Sequence, residues 1–199
     1  MLKPTSQPCL RNQDPIFQKL QHAFAQPGTV LELACGTCQH GVYFAQRLPY
    51  LTWQPTDLEA SLMGARLWIK EANLKNLLPA KGLDASQQHW NLPSYDYVYS
   101  ANLVHFVSMD TVNSMFAGIQ KALKEGGQLA LYGPYNNQGF TSDGNASLDN
   151  WLKQDINPEA GIKELSVIIE LAQQHNLQLQ ENHMLPANNH LLIFKNIQG

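Results

Sequence analysis

Val30-Leu31-Glu32-Leu33-Ala34-Cys35-Gly36-Thr37-Cys38-Gln39-His40 is the stretch from which the rest of the chain is read. The apolar run 29–34 has the length of a buried strand. It breaks at small residues around Gly36 and gives way to a helical stretch reaching about Arg47. A strand that feeds a helix through a small-residue turn lets backbone approach a ligand, and the helix start offers unpaired N–H groups. Taken alone, the same turn also serves any tight strand-to-helix connection.

Toward the N-terminus, Asp14-Pro15 reads as a helix start, with Ile16, Leu20 and Phe24 at helical spacing before Pro27-Gly28. Toward the C-terminus, 51–56 reads as a second strand and 59–72 as a helix. A weak third strand over 77–83 is interrupted by Pro79, and 95–100 is a fourth. An amphipathic helix over 110–124 stops at Gly126-Gly127, and 128–132 is a fifth strand. The polar stretch 133–161 is longer than an ordinary connection, which makes it functional or mobile. A helix over 163–175 precedes two strands, 177–184 and 190–195, joined at Pro186-Ala187-Asn188-Asn189 as an antiparallel hairpin.

This alternation predicts a doubly wound, Rossmann-like α/β fold: a mostly parallel sheet, helices on both faces and a C-terminal antiparallel hairpin. Residues 1–199 form one domain, with 1–26 as a segment and helix over the site. Ligands in such sheets bind beyond the carboxyl ends of the strands, where strand order reverses. The first hairpin strand runs parallel to the others, so its turn emerges at that edge and brings Asn188 and Asn189 to the site.

The chain has 199 residues, 44% of them hydrophobic, enough for one domain with a sizeable core. Its net charge is −3, and its 13 Lys and Arg are scattered. It therefore shows no nucleic-acid or membrane-surface footprint, and a small uncharged or cationic partner is easier to accommodate than a phosphate backbone. The first residues lack the apolar core of a secretory signal, and no stretch approaches the ~20 apolar residues that span a bilayer. The expectation is a soluble, cytoplasmic protein. Cys9, Cys35 and Cys38 make no disulfide framework.

Two further signals sharpen the turn. Asp57 ends the second strand 21 residues after Gly36, where an acid can accept hydrogen bonds from ribose hydroxyls. It is also placed to cap the next helix. Asp84-Ala85 follows the third strand, where a carboxylate can accept from an adenine amine and the next N–H can bond a ring nitrogen; a plain loop acid reads the same way. A dinucleotide site would want G-x-G-x-x-G, but the matching positions are Ala34, Gly36 and Gln39. Glu32, inside the strand, would oppose a pyrophosphate and suit a sulfonium or ammonium.

The run from Val30 to His40 with Thr52-Trp53-Gln54-Pro55-Thr56-Asp57 resembles the S-adenosylmethionine-binding motifs of class I methyltransferases. More narrowly, the chain resembles the methyltransferase-like domain-of-unknown-function family 938. The likeness is carried by Arg11-Asn12, Asp14-Pro15-Ile16, Gln39-His40, Trp53-Gln54-Pro55, Ala101-Asn102, His105, Leu131-Tyr132-Gly133-Pro134 and Pro186-Ala187-Asn188-Asn189. It implies a seven-stranded fold and S-adenosylmethionine as cofactor, transferring methyl to an unidentified, small-molecule acceptor. The implied cofactor residues are Arg11, Asn12, Glu32, Ala34, Gly36, Gln39, His40, Asp57, Asp84, Ala85 and Asn102. Three departures stand out. Ala34 and Cys38 replace the first and third glycines of the general motif, so Cys38 is expected beside the cofactor's methionine part. Leu10 stands where the family has Glu.

Methyl transfer from a sulfonium is an in-line displacement. Orientation can supply several of the roughly 7–11 kcal/mol available in favourable cases. A base is needed only where the nucleophile must lose a proton. His105 is the expected base, with Asn102 and Tyr132 as catalytic neighbours. Tyr135, Asn145, Asn188 and Asn189 are expected around the acceptor, with Asn145 and Asp149 in a lid. Two rival readings remain: a Cys35-x-x-Cys38 redox motif, which needs a thiol of lowered pKa, and a non-catalytic S-adenosylmethionine-binding or interaction domain, which the altered glycines favour. Zinc lacks the further ligands a Cys pair requires, and no metal is expected.

Overall fold

Seven segments become strands of one sheet in the computed structural model, which describes residues 3–87 and 89–197. The strands are β1 (Gly28–Leu33), β2 (Leu51–Asp57), β3 (Lys81–Gly82), β4 (Tyr95–Ala101), β5 (Leu123–Pro134), β6 (Leu177–Leu185) and β7 (Asn189–Asn196). The helices are α1 (Gln7–Ala23), α2 (Gln39–Arg47), α3 (Leu62–Ala72), the single turn α4 (Leu103–Phe106), α5 (Met109–Ala122), α6 (Asp143–Trp151) and α7 (Leu165–Gln174). Sheet order is β3-β2-β1-β4-β5-β7-β6, with only β7 antiparallel to its neighbours. This is the expected mostly parallel sheet ending in a hairpin.

Alternate residues of each central strand supply two cores. Val30, Tyr97, Tyr99, Ala130, Tyr132, Leu191 and Ile193 pack on one face with residues of α1, α2 and α3. Leu31, Leu33, Val98, Leu129, Leu131, Leu192 and Phe194 pack on the other with α5 and α7. Strands buried on both faces must be apolar at both parities, which is why they read as continuous runs.

Four expectations change. α1 begins at Gln7 rather than Asp14: the Ser6 hydroxyl accepts from the Cys9 N–H, Pro8 occupies the first turn, and Pro15 lies inside the helix. Pro15 has no N–H to give the Arg11 carbonyl, a local cost that burial of Ile16 and Leu20 offsets. The third strand shrinks to Lys81–Gly82, with a lone Trp53–Leu77 bridge before it, because Pro79 cannot donate to the ladder. β5 begins directly after α5, and Gly126 turns with φ +72° inside it. The polar stretch is built rather than loose: it holds α6 and a π-helical turn, Leu152–Ile156. Among the described residues no helix is long and apolar enough to cross a membrane.

Candidate functional site

Strand order reverses at β1, which has β2 on one side and β4 on the other, so a crevice opens beyond their carboxyl ends. The turn after β1 has positive φ at Ala34 (53°), Gly36 (55°) and Cys38 (61°). These are the three glycine positions of the general motif. Ala34 and Cys38 therefore keep the glycine backbone, storing strain of about 1 kcal/mol or more each. A Cβ added at Gly36 would meet nothing within 4 Å, so its outer side is open to a ligand. Cys38 is not beside that opening. Its side chain is fully buried in the core under α2, which corrects the expectation that it crowds the cofactor.

Asp57 closes the turn. Its Oδ2 accepts from the Gly36 N–H at 2.8 Å and its Oδ1 from the Leu58 N–H at 2.7 Å. A carboxylate has about four acceptor sites, so lone pairs remain for a diol. Asp84 lies one strand over, since Gly82 pairs with Asp57. Its Oδ1 accepts from the Ser86 N–H (2.9 Å) and hydroxyl (2.7 Å), bonds that hold its pKa down. Ala85 packs against the second core.

Glu32 lies beneath the turn, 2% exposed. Burial pushes its pKa up to about 8, against the Trp53 indole N–H that donates to Oε2 at 2.7 Å; the Asp57 charge adds to the rise. A Cβ on Gly41 would lie 2.6 Å from that oxygen and 2.8 Å from Cys38 Sγ. Gly41→Ala is thus expected to lower stability by about 1–3 kcal/mol, read from urea midpoints. The Cys38 thiol is pushed well up by its hydrogen bond with Cys35 and by burial, the opposite of what a redox dithiol needs.

Gln39 and His40 are corrected from cofactor contacts to fasteners of α1. Both are buried. Gln39 Oε1 accepts from the Ser6 N–H and the Thr37 hydroxyl. His40 Nε2 lies 2.7 Å from Asn12 Oδ1, and Nδ1 lies 3.1 Å from the Tyr99 hydroxyl. Burial lowers His40 to about 4, so the ring is neutral, donating to Asn12 and accepting from Tyr99.

Beside the crevice is a cavity of about 630 Å³. One face of α1 (Pro8, Arg11, Asn12, Pro15) and one face of α6 (Ser142, Asn145, Leu148, Trp151) line it, with Asn102, His105 and Phe106 after β4, Tyr132 and Pro134 of β5, and the Pro186–Asn189 hairpin turn. Asn102 has φ 67°, and its N–H donates to the Tyr132 carbonyl at 2.7 Å, which joins the ends of β4 and β5. His105 is 4% exposed, and its ring hydrogen-bonds to no described residue. Burial first, then the Lys163 charge, lowers it to about 3.

The structure thus gathers Arg11, Asn12, Asn102, His105, Tyr132, Asn145, Asn188 and Asn189 at one cavity. Tyr135 is corrected. It is buried in the second core, its ring edge-on to His190 at 5.9 Å, because three steps along a strand end on the opposite face. Asp149 is corrected too: it is buried, pairs with Lys153 at 2.6 Å and accepts from the Ile162 N–H, so it braces the segment. Sequence reasoning missed Phe106, Trp151, Ser142, Pro8 and Pro134. The helical spacing of Pro8, Arg11 and Pro15 was the available signal for α1, and a Trp in a polar stretch was one for α6. Among the described residues no group of three His, Cys, Asp or Glu is placed to hold a metal.

The family described as "Protein of unknown function (DUF938)" matches residues 3–196. The chain belongs to this family. Among solved structures, it is similar to an O-methyltransferase family protein from Burkholderia thailandensis (TM-score 0.83, 18% identity, covering 96% of this chain and 58% of that one). It is also similar to the S-adenosylmethionine-dependent methyltransferase SibL in its apo form (0.80, 16%, 96% and 56%). A third is an O-methyltransferase family 2 protein from Planctomyces limnophilus in complex with apigenin (0.76, 17%, 86% and 50%). At these identities the likeness shows a shared class I methyltransferase-like fold. The chain spans little more than half the length of such structures.

Proposed function

We propose that this chain is an S-adenosylmethionine-dependent methyltransferase acting on a small-molecule hydroxyl. The observation that carries the reading is the left-handed turn at 34, 36 and 38 closed by Asp57, at the strand-order reversal and next to a cavity holding a neutral histidine. The residues fit a nucleoside cofactor: space opens over Gly36, and Asp57 keeps lone pairs for ribose hydroxyls. Asp84 and the Ala85 N–H stand at the adenine end, with Ala34 and Asn102 toward the methionine end.

When bound, the cofactor supplies a methyl group on a sulfonium. That methyl would be available for in-line displacement by an acceptor oxygen held in the neighbouring cavity. The hydroxyl proton passes to the His105 imidazole. α1 and α6 surround the acceptor, and the Tyr132 hydroxyl and Asn145, Asn188 and Asn189 orient it. Orientation of this kind supplies much of the rate. Because Ala34 and Cys38 hold the glycine backbone, the altered motif gives no support to a non-catalytic domain.

Calorimetry of S-adenosylhomocysteine with wild type and Asp57→Ala tests the cofactor. The expected result is micromolar binding weakened by about 1–3 kcal/mol in the variant. Equal affinity in the two proteins would remove Asp57 from the site, and no wild-type binding at millimolar ligand would overturn the reading.

A further inference from the structure

The cavity has an uncompensated charge. Among the described residues that line it, Arg11 is the only ionisable side chain besides His105 and Tyr132, and none is a carboxylate. Arg11 makes no ion pair with any described residue. The nearby acids are otherwise engaged or turned away: Asp14 takes the Tyr43 hydroxyl, Asp149 is bound to Lys153, and Asp143 is exposed outside the lining. His105 is neutral, so nothing in the wall offsets the guanidinium.

A second polar group converges on the same place. Asn12, its Oδ1 engaged by His40, and Tyr132 both line it. The Tyr132 hydroxyl can donate its O–H to a ligand there. The Arg11 charge acts on that phenol and eases the rise that burial imposes on it. A guanidinium and a hydroxyl donor lining one cavity suit a carboxylate, the partner Arg recognises with two parallel N–H bonds. Beside its amide side chains the wall carries apolar and aromatic surface. Phe106 and Trp151 meet edge to face at 6.4 Å, both partly exposed, and aromatic rings prefer such surfaces.

We propose that the acceptor is a compact aromatic hydroxy acid whose carboxylate is held by Arg11 and the Tyr132 hydroxyl, with its ring against Phe106 and Trp151. This rests on the methyltransferase reading above. A carboxylate at Arg11 also brings negative charge into the cavity of His105, which favours the imidazolium formed when that ring takes the hydroxyl proton.

The test titrates salicylate, para-hydroxybenzoate and para-coumarate, each against its carboxamide, into the full chain with and without S-adenosylhomocysteine. At least one acid is expected to bind roughly tenfold to hundredfold tighter than its amide. Arg11→Gln, at an exposed position and with its fold checked by thermal melting, is expected to abolish that preference and leave S-adenosylhomocysteine affinity unchanged. Tyr132→Phe is expected to weaken the acid severalfold. Equal binding of acids and amides, or no acid bound at millimolar concentration, overturns the proposal. So does an Arg11→Gln variant that loses S-adenosylhomocysteine instead, because the guanidinium then serves the cofactor's carboxylate. Failure of the methyltransferase reading shows separately, as no S-adenosylhomocysteine binding by wild type.

Discussion

His105→Gln is expected to lower kcat about 10²- to 10⁴-fold, the usual contribution of a positioned base, while S-adenosylhomocysteine still binds. The histidine comes to this role by burial. Its ring sits at the cavity wall, lowered to about 3 by burial and by Lys163. The neutral form is the base, and rate falls as pH falls through the pKa of that ring. In the free protein the acid limb, read in kcat/KM, should therefore lie far below the 6.5 of an ordinary histidine. An imidazole so depressed is a weak base. An acceptor carboxylate raises it, so the acid limb of kcat is expected at higher pH than that of kcat/KM. Activity of His105→Gln within a few fold of wild type would remove the residue from the chemistry.

Folding stability is expected to peak near pH 6.5, between two opposed sets of buried groups. His40 and His105 fall from 6.5 unfolded to about 4 and about 3 folded. The unfolded chain binds their protons first, so stability is lost as pH drops below 6.5. His175 and His190, also lowered by burial, act in the same direction. Glu32 rises from 4.5 to about 8. Its stabilising protonated form is fully present below 4.5 and lost as pH rises through 8. Cys9, Cys38 and Tyr99, whose electrostatics include Glu32, titrate only above this window. At about 1.4 kcal/mol per proton per pH unit, stability falls by about 2 kcal/mol from pH 6.5 to 8. It falls by about 3 kcal/mol from pH 6.5 to 4.5, where two protons gained outweigh one released. Urea denaturation at the three pH values measures both. Glu32→Gln keeps an acceptor for Trp53 and should flatten the alkaline side while steepening the acid side, where Glu32 no longer offsets the histidines. A stability that climbs steadily to pH 8 in wild type would mean that Glu32 is ionised in the fold.

The order of strands and helices was legible because it rests on local periodicity. Runs such as Val30 to Leu33 must be apolar at both parities, and the helices repeat near 3.6. The position of Asn188 and Asn189 was legible too, since a parallel strand ending in a tight turn has to deliver that turn to the carboxyl edge. The opposite faces of Tyr132 and Tyr135 also followed from parity, a signal in plain view that proximity in the chain obscured. The start of α1 was misread because Asp14-Pro15 has the form of a helix start. Pro15 is tolerated within α1 only because Ile16 and Leu20 bury against the sheet.

Ala34 and Cys38 show the boundary between the two levels. As letters they are departures from glycine, whereas in the fold they hold φ of 53° and 61° because the strand before and the helix after impose it. Gln39 and His40 read as site residues until α1 covered them and took their hydrogen bonds. Charge divides the same way. A net −3 with scattered bases argued for an uncharged or cationic partner, yet the fold puts Arg11 at the wall of a cavity whose described lining holds no carboxylate. Sequence alone determined the α/β order, the sheet edge to which the hairpin turn is delivered and the family to which the chain belongs, because periodicity, parity and motif spacing are properties of the chain. Only the tertiary structure decided which polar groups face the cavity and which are spent on holding α1, because burial and hydrogen-bond satisfaction depend on residues far apart in sequence.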